Sequence, residues 1–187
     1  MKRMTIVLSI WVMFLAPSVR AQAPQGLPKP GPEVRKLAFK IGTWNLEHDI
    51  KPFGAMRGGK FKAIETCDWY SGGFFVRCQW DSTGPRGRSK GVSFMGYDRN
   101  ENVYTFRGFE STGDVIDAKG KVDGDTWNWT SDSKIGDVRT AGRVTIKQVS
   151  TTGYTYKLEM SQNGREFSVI QESTAHKVPV VSPARKP

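Results

Sequence analysis

The chain has 187 residues and a formal net charge of +10, and 37% of its residues are hydrophobic. This length is enough for one domain with a sizeable core. The positive charge is concentrated at the two ends, because the region 41–176 carries a net charge of only +1. A nearly neutral body argues against a dedicated nucleic-acid surface, although the basic ends favour weak contact with anionic lipid or polymer.

Residues 1–21 show the pattern of a secretory signal peptide. A basic start, Met1-Lys2-Arg3, precedes an apolar run at 6–16 that is too short to cross a bilayer. The small residues that follow fit cleavage after Ala21 or after Ala23, and Pro24 disfavours the second site. We therefore expect a periplasmic or extracellular protein whose mature chain has no transmembrane segment.

Residues 22–32 are rich in proline and glycine and predict an extended linker. The segment 32–40 predicts a short helix, since proline suits the first turn and Val34, Leu37 and Phe39 form a partial apolar face. Residues 33–176 are predicted to form one β-domain. The proline-containing segment 177–187 predicts a disordered basic tail.

Turn signals recur roughly every eight to fifteen residues from Gly42 to His176, between segments rich in aromatic and β-branched residues. Ten strands are predicted, at 42–51, 58–70, 74–82, 88–97, 102–110, 113–122, 125–131, 137–149, 153–162 and 165–176. No long helix interrupts the series, so sequential neighbours are expected to pair. An open sheet of this kind would expose two edges. We therefore predict an all-β fold, an antiparallel up-and-down barrel of about ten strands with a short N-terminal helix.

The hairpin at 60–81 contains both cysteines. A tight turn centred on Gly72-Gly73 places Cys67 opposite Cys78 and Asp68 opposite Arg77. Directly opposed Cβ atoms lie about 4.5–5.5 Å apart, close to the separation that a disulfide needs. The predicted oxidising compartment and the lack of a Cys-x-x-Cys motif favour a structural disulfide over redox chemistry or metal binding.

Other turns predict which side chains face inward. A turn at Asn163-Gly164 places Phe167, Val169 and Gln171 on the inner face with Tyr154, Tyr156, Leu158 and Met160. A turn at Asp123-Gly124 places Trp127 opposite Gly120 and Trp129 opposite Ala118. A turn centred on Asn100 places Phe94 opposite Phe106. In the first strand, alternation places Trp44, Leu46, His48 and Ile50 on one face.

The short helix that leads into Gly42-Thr43-Trp44 resembles the opening of lipocalin-like (calycin) barrels. The wider sequence resembles a bacterial family of lipocalin-like domains of unknown function, at 69–75 (Trp-Tyr-Ser-Gly-Gly-Phe-Phe), Gly96-Tyr97-Asp98 and 163–167 (Asn-Gly-Arg-Glu-Phe). The resemblance covers roughly residues 37–176. It implies a ten-stranded barrel with an internal cavity, and it brings no activity or catalytic residue. The cysteine pair is not part of the family's pattern, so the disulfide depends on the register alone.

The inward positions supply the candidate ligand contacts. His48 points inward and needs a polar partner such as Gln171, Tyr154 or Tyr156, whereas His176 lies on a polar face and is expected to be solvated. The proposed cavity lining is Trp44, His48, Phe106, Trp129, Tyr154, Tyr156 and Gln171. The aromatic rings either fill the core or form a flat apolar surface for a ligand.

The mouth of the barrel is predicted at the loops 51–60 and 84–88. The first loop contributes Phe53 and Met56, and the second contributes Arg86 and Arg88. These two arginines could bind a carboxylate or phosphate head group, or simply form a solvated basic loop.

No enzyme signature is found in the sequence, so no catalytic residue, metal ligand or resident cofactor is assigned. The residues favour a secreted protein that holds a small apolar or amphiphilic molecule, and they indicate neither its identity nor the oligomeric state. One alternative is a cavity enzyme, such as a haem barrel resembling the nitrobindins, for which His48 and His176 are the only available histidines. Another is a structural or interaction module whose barrel is filled by its own side chains.

Overall fold

The computed structural model describes residues 28–54, 57–84, 87–135 and 137–179. Ten antiparallel strands form a closed barrel in which each strand pairs with its neighbours in sequence and the first closes on the last. The strands are β1 (Gly42–Ile50), β2 (Gly59–Trp69), β3 (Val76–Gly84), β4 (Gly87–Asp98), β5 (Val103–Glu110), β6 (Val115–Asp123), β7 (Thr126–Ile135), β8 (Val138–Ser150), β9 (Gly153–Gln162) and β10 (Ser168–Lys177). The predicted fold class is confirmed.

Several predicted features lie outside the described residues. These are the signal peptide at 1–21, most of the linker, the tail beyond residue 179, and the mouth residues Met56 and Arg86. The described part of the linker, 28–31, has no regular secondary structure. Across the described ranges, no helix combines the length and apolarity that crossing a membrane requires.

A short helix α1 (Pro32–Lys36) continues into a 3₁₀ helix (Leu37–Lys40) and covers one end of the barrel. Leu37 is fully buried, and the ring of Phe39 stacks on Trp127 at 5.0 Å between ring centres. The hydroxyl of Tyr104 donates hydrogen bonds to the backbone oxygen and carboxylate of Glu33 at 3.1 and 2.9 Å. These contacts fix the helix and seal this end. We call the opposite end, where the loops after β1, β3, β5, β7 and β9 lie, the open end.

The register predicted for β2 and β3 is confirmed. Cys67 lies opposite Cys78 and Asp68 opposite Arg77. The cysteines form a disulfide with a Cα–Cα distance of 4.1 Å, and both are buried. Gly72 and Gly73 have φ of +84° and +71°, a backbone region that glycine occupies without steric cost.

The register predicted for β4 and β5 was wrong by one residue. Met95, not Phe94, lies opposite Phe106. Asp98 pairs with Val103, so the turn consists of the four residues 99–102 and is not centred on Asn100. Asn102 takes a φ of +55°. Because side chains alternate, the shift moves Phe94 to the outer face, where its ring contacts Tyr70.

The hairpin between β6 and β7 also differs from its prediction. Asp123 pairs with Thr126, so Gly124-Asp125 forms the turn, Trp129 lies opposite Gly120 and Trp127 opposite Val122. This shift of two residues keeps both tryptophans on the inner face, where they are buried.

In β10 the predicted inner face is wrong in part. The pairing with β9 shifts between Val169 and Gln171, and Ile170 is buried instead of Val169. Phe167 lies under the guanidinium of Arg143, an exposed side chain. The bulge nevertheless returns Gln171 to the inner face, opposite Leu158.

Candidate functional site

A buried ion pair lies next to the sealed end. The ammonium of Lys40 contacts a carboxylate oxygen of Glu65 at 2.5 Å and the hydroxyl of Tyr154 at 2.7 Å, and that hydroxyl donates to the same carboxylate at 3.1 Å. The side chains of Lys40 and Glu65 are only 6% and 15% exposed. Trp44 donates its indole N–H to the backbone oxygen of Lys40 at 2.7 Å, which fixes the end of the 3₁₀ helix to β1.

The ion pair sets the charge at the floor of the barrel, by which we mean the interior next to the sealed end. Burial by itself lowers the pKa of Lys40, but attraction and hydrogen bonding to Glu65 and Tyr154 outweigh burial and raise that pKa. Burial raises the pKa of Tyr154 to about 12, against the opposing attraction of Lys40. At neutral pH the floor therefore holds a charged lysine and a neutral phenol.

His48 lies further towards the open end on β1. Its Nδ1 lies 2.7 Å from the hydroxyl of Ser173 and 3.0 Å from the amide nitrogen of Gln171, which also donates to Ser173 at 3.1 Å. The amide nitrogen can only donate, so Nδ1 accepts and the proton of the neutral ring lies on Nε2. Burial lowers the pKa of His48, while the charge of Glu65 opposes that effect. Gln171 is thus one of the partners expected for this histidine.

Several donors face the barrel interior without a protein partner. Among the described residues, every fully buried side-chain nitrogen or oxygen has a hydrogen-bond partner. Within that same part of the chain, the Nε2 of His48, the hydroxyl of Tyr156 and the indole N–H groups of Trp80 and Trp129 make no hydrogen bond. These atoms must therefore touch open space, and we call them the lumen donors. Burial raises the pKa of Tyr156, so its hydroxyl keeps its proton at neutral pH.

Two of the lumen donors lie in one row across the barrel wall. His48 pairs with Ser173, and Ser173 pairs with Tyr156, so these residues form one row across β1, β10 and β9. Opposed positions on neighbouring strands lie about 4.5–5.5 Å apart. Trp80 lies on β3, two strands from β1 in the other direction round the barrel, opposite both Glu65 and Gly91.

The aromatic lining depends on close approach to glycine. The ring of Trp80 covers Gly91 so closely that a Cβ there would lie 2.0 Å from the ring. Trp129 covers Gly120 in the same way, since a Cβ at Gly120 would lie 2.5 Å from its ring. The ring of Trp129 also packs against that of Phe106, with 6.2 Å between the ring centres. Large rings are thus held flat against the wall, and Phe106 and Trp129 from the predicted lining lie together.

Of the other predicted lining residues, Trp44 and Tyr154 belong to the sealed end. Their rings meet edge to face at 4.9 Å, and both residues are at most 3% exposed. They support the ion pair and do not line open space. His176 is exposed, as expected.

The described mouth residues, Phe53 and Arg88, lie at the open end of the barrel. Phe53 is partly buried in the loop after β1. Arg88 is exposed and bound through two nitrogens to Asp81, which Lys90 also contacts at 3.3 Å. The hydrogen bond from Arg88 lowers the pKa of Asp81 to about 2. Arg88 is therefore occupied by a carboxylate of the protein itself.

One group of potential metal ligands occurs among the described residues. Glu65, Cys67 and Cys78 bring their ligand atoms within 4.8 Å of one another. The two sulfur atoms are bonded to each other, however, and Glu65 binds Lys40. A thiolate is what binds a metal, so the oxidised pair offers no site.

Sequence reasoning missed the ion pair at the floor. In the sequence, Lys40 is one of several basic residues that precede the barrel, and no pattern marks it as buried. The signal lay in β2, where alternation from the inward Cys67 places Glu65 on the inner face. A buried carboxylate needs a cation or a proton, and that requirement could have indicated a partner.

Comparison with known proteins finds the same fold in solved structures. The fold resembles an S-type phycobiliprotein lyase, CPES, from Guillardia theta, with a TM-score of 0.53 and 12% identity over 80% of this chain and 93% of that one. It also resembles Rv2717c from M. tuberculosis, with a TM-score of 0.57 and 12% identity over 81% of this chain and all of that one (100%). At such identities the likeness shows the fold alone. No curated protein matches the chain. The sequence profile of a protein family of unknown function, DUF1579, matches residues 29–174, and the chain therefore belongs to the DUF1579 family.

Proposed function

We propose that this protein is a secreted, periplasmic or extracellular binding protein that holds a small amphiphilic molecule inside its barrel. The observation that carries the proposal is the set of lumen donors, which face open space beside flat aromatic rings. A desolvated donor without a partner costs about 1–3 kcal/mol, so an oxygen acceptor that fills this space gains by satisfying several donors at once. The signal-peptide pattern at residues 1–21 supports the secreted setting.

The interior indicates the chemistry of the ligand. Phe106 and Trp129 form a ring surface that suits a flat or extended apolar frame. His48, Trp80, Trp129 and Tyr156 offer N–H and O–H groups, which suit carbonyl or carboxylate oxygens. The charges of Lys40 and Glu65 neutralise each other. We therefore expect a ligand with an apolar frame and one or more oxygen acceptors.

A haem barrel fits the arrangement poorly. His176 is exposed, and it pairs with Asn45 and Gly153, on the opposite face of the sheet from Trp44 and Ala175. His48 faces the interior, but the hydrogen bond from Gln171 keeps its proton on Nε2. A protonated nitrogen cannot act as an axial ligand, so His48 is arranged as a donor to a ligand oxygen.

The first test is the native mass and absorption spectrum of protein purified from a periplasmic fraction. A colourless protein with an excess mass that organic solvent extracts would support the proposal, and N-terminal sequencing would show whether cleavage follows Ala21 or Ala23. A Soret band would favour the haem alternative. A protein that has neither excess mass nor affinity for added amphiphiles would favour a barrel that acts through its surface.

The second test uses a dansyl-labelled fatty acid and two matched variants. Tyr156→Phe removes one lumen donor, whereas Tyr70→Phe removes the hydroxyl of a tyrosine that is 48% exposed. One hydrogen bond has a net value of about 0.5–1.5 kcal/mol, so Tyr156→Phe should raise the Kd by roughly 2- to 12-fold. Equal Kd values for the two variants would contradict binding at the lumen donors.

A further inference from the structure

The barrel wall is incomplete between β6 and β7. These strands pair only from Lys119 to Asp123 on β6 and from Thr126 to Thr130 on β7. β6 continues to pair with β5 as far as Val115, and β7 continues to pair with β8 as far as Ile135. Residues 115–118 and 131–135 therefore face each other without ladder hydrogen bonds. At about 3.4 Å per residue, this slit extends roughly 13 Å down the wall from the open end.

The charges of the two strands explain why the pairing stops. Continuing the observed register beyond Lys119 and Thr130 would place Ala118 opposite Ser131 and Asp117 opposite Asp132. Like charges directly opposed across a ladder are destabilising. Asp117 instead turns to Arg107 on β5, at 3.4 Å. Asp132 is exposed.

The slit borders a cleft on the outer surface that reaches side chains of the barrel lining. A cleft of about 610 Å³ includes Asp117 and Asp132 on the outside and Phe106, Ala118 and Ser131 on the inside. Phe106 is the ring that contacts Trp129. Ile116 lies on the inner face, opposite Gly108, yet it is 39% exposed. Ile116 lies both beside the slit and one residue from the start of β6 at the open end, and solvent reaches its side chain there.

The rim of the slit is apolar at its outer end. Val115 is 53% exposed and Phe109, its partner on β5, is 40% exposed. These side chains and Ile116 offer an apolar surface that leads from solvent to Phe106. Such a surface suits the hydrocarbon part of an amphiphile rather than its head group.

We propose that the slit between β6 and β7 is the route by which the apolar part of the ligand enters the barrel, and that repulsion between Asp117 and Asp132 keeps it open. This inference rests on the proposed binding function. It adds a lateral route, distinct from the loops of the open end, and assigns a role to two acidic residues outside the lumen.

The test is to close the slit with one charge reversal. Asp132→Lys places a cation opposite Asp117 and should extend the pairing of β6 with β7. Asp125→Lys is the matched control, because it makes the same charge change at the exposed turn between these strands. Uptake of a dansyl-labelled fatty acid is followed by stopped-flow fluorescence on the full-length protein. We expect Asp132→Lys to slow association by about tenfold or more and to slow dissociation similarly, with the Kd changed less than about threefold.

Electrostatic attraction makes the result decisive. Each added lysine attracts the anionic probe and by itself speeds association. Slower uptake by Asp132→Lys than by Asp125→Lys can therefore come only from closure. Equal or faster uptake by Asp132→Lys would overturn the lateral route. If the wild-type protein does not bind the probe at all, the proposed binding function is wrong. If it binds the probe but Asp132→Lys does not slow uptake, only the lateral route is wrong.

Hydrogen exchange reports closure without any ligand. Amides at 115–118 should gain protection in Asp132→Lys and not in Asp125→Lys. If the amides of Asp132→Lys gain protection but the uptake rate is unchanged, the slit is not the entry route. If these amides gain no protection, repulsion between Asp117 and Asp132 does not keep the slit open. Should Asp132→Lys fail to fold, Asp132→Asn removes the repulsion without adding a positive charge. It should also slow hydrogen exchange at 115–118 and slow uptake of the probe, both by smaller factors.

Discussion

The ammonium of Lys40 lies 2.5 Å from a carboxylate oxygen of Glu65, and both side chains are shielded from solvent at the sealed end of the barrel. The 3₁₀ helix contributes the cation and β2 contributes the anion, so the pair joins the helical cover to the wall. Neither charge has another ionic partner among the described residues. The stability of each charge therefore depends on the other.

Removing Lys40 should destabilise the fold strongly. Lys40→Met leaves the carboxylate of Glu65 buried without a cation, and breaking a buried pair costs about 3–5 kcal/mol. The control is Lys62→Met, because Lys62 pairs with Glu47 at 3.3 Å with side chains 82% and 66% exposed. That change should cost no more than about 1 kcal/mol. Urea titration gives both values, and similar losses for the two variants would contradict the role of burial.

His48 should make the stability depend on pH near neutrality. Its pKa in the folded protein lies below 6.5, the value in an unfolded chain. As the pH falls below about 6.5, the unfolded chain binds a proton that the folded protein does not, so the free energy of unfolding decreases, by at most about 1.4 kcal/mol per pH unit. Between pH 7 and pH 5.5, His48→Gln should show a smaller decrease than wild type. Parallel profiles for wild type and His48→Gln would contradict this assignment.

A methyl group at position 91 should displace the ring of Trp80. Gly91→Ala would place a Cβ 2.0 Å from that ring, so the indole must rotate or the strand must shift. Overpacking of this kind costs about 1–3 kcal/mol. The change should alter the near-ultraviolet circular dichroism and weaken binding of the dansyl fatty acid. Gly31→Ala is the control, because its Cβ would lie 3.6 Å from the nearest atom. An unchanged near-ultraviolet spectrum in Gly91→Ala would contradict the close contact.

The disulfide should stabilise the barrel without being required for it. It closes a loop with a sequence separation of 11, and short loops gain less from cross-linking than long ones. Replacing both cysteines by alanine should therefore cost roughly 2–3 kcal/mol, measured by guanidinium titration. The far-ultraviolet spectrum of the β-sheet should remain. Loss of that spectrum at low temperature would show that the bridge is needed for folding.

The sequence indicated all ten strands and the pairing of Cys67 with Cys78, because turn residues and alternating side chains are local signals. Registers were wrong where one local signal allowed more than one turn. Asn100 allowed a shorter turn than the one that ends at Asn102, and Gly124 could be the first or the second residue of its turn. The bulge at Ile170 reverses the alternation within β10, and nothing in the local sequence marks it.

The candidate site was predicted in part for a related reason. His48, Gln171 and Tyr156 were placed inside because alternation within a strand decides their face. The partner of Glu65 could not be found in this way, since Lys40 reaches it from a different element. The slit was also missed, because it depends on which charges meet across β6 and β7. Such pairs appear only once the register is known.

The pairing of β1 with β10 has a consequence for how the chain folds. Every other pair of neighbouring strands is consecutive in the chain, so nine of the ten ladders join segments that are close in sequence. The tenth brings Trp44 opposite Lys177, and a hydrogen bond from Val178 to Thr43 at 2.8 Å follows it. Non-local pairing carries the largest loop-closure entropy and is slow. During synthesis the hairpins can form in order, but the free edges of β1 and β9 must wait for the last strand. The barrel is therefore most exposed to aggregation just before it is complete.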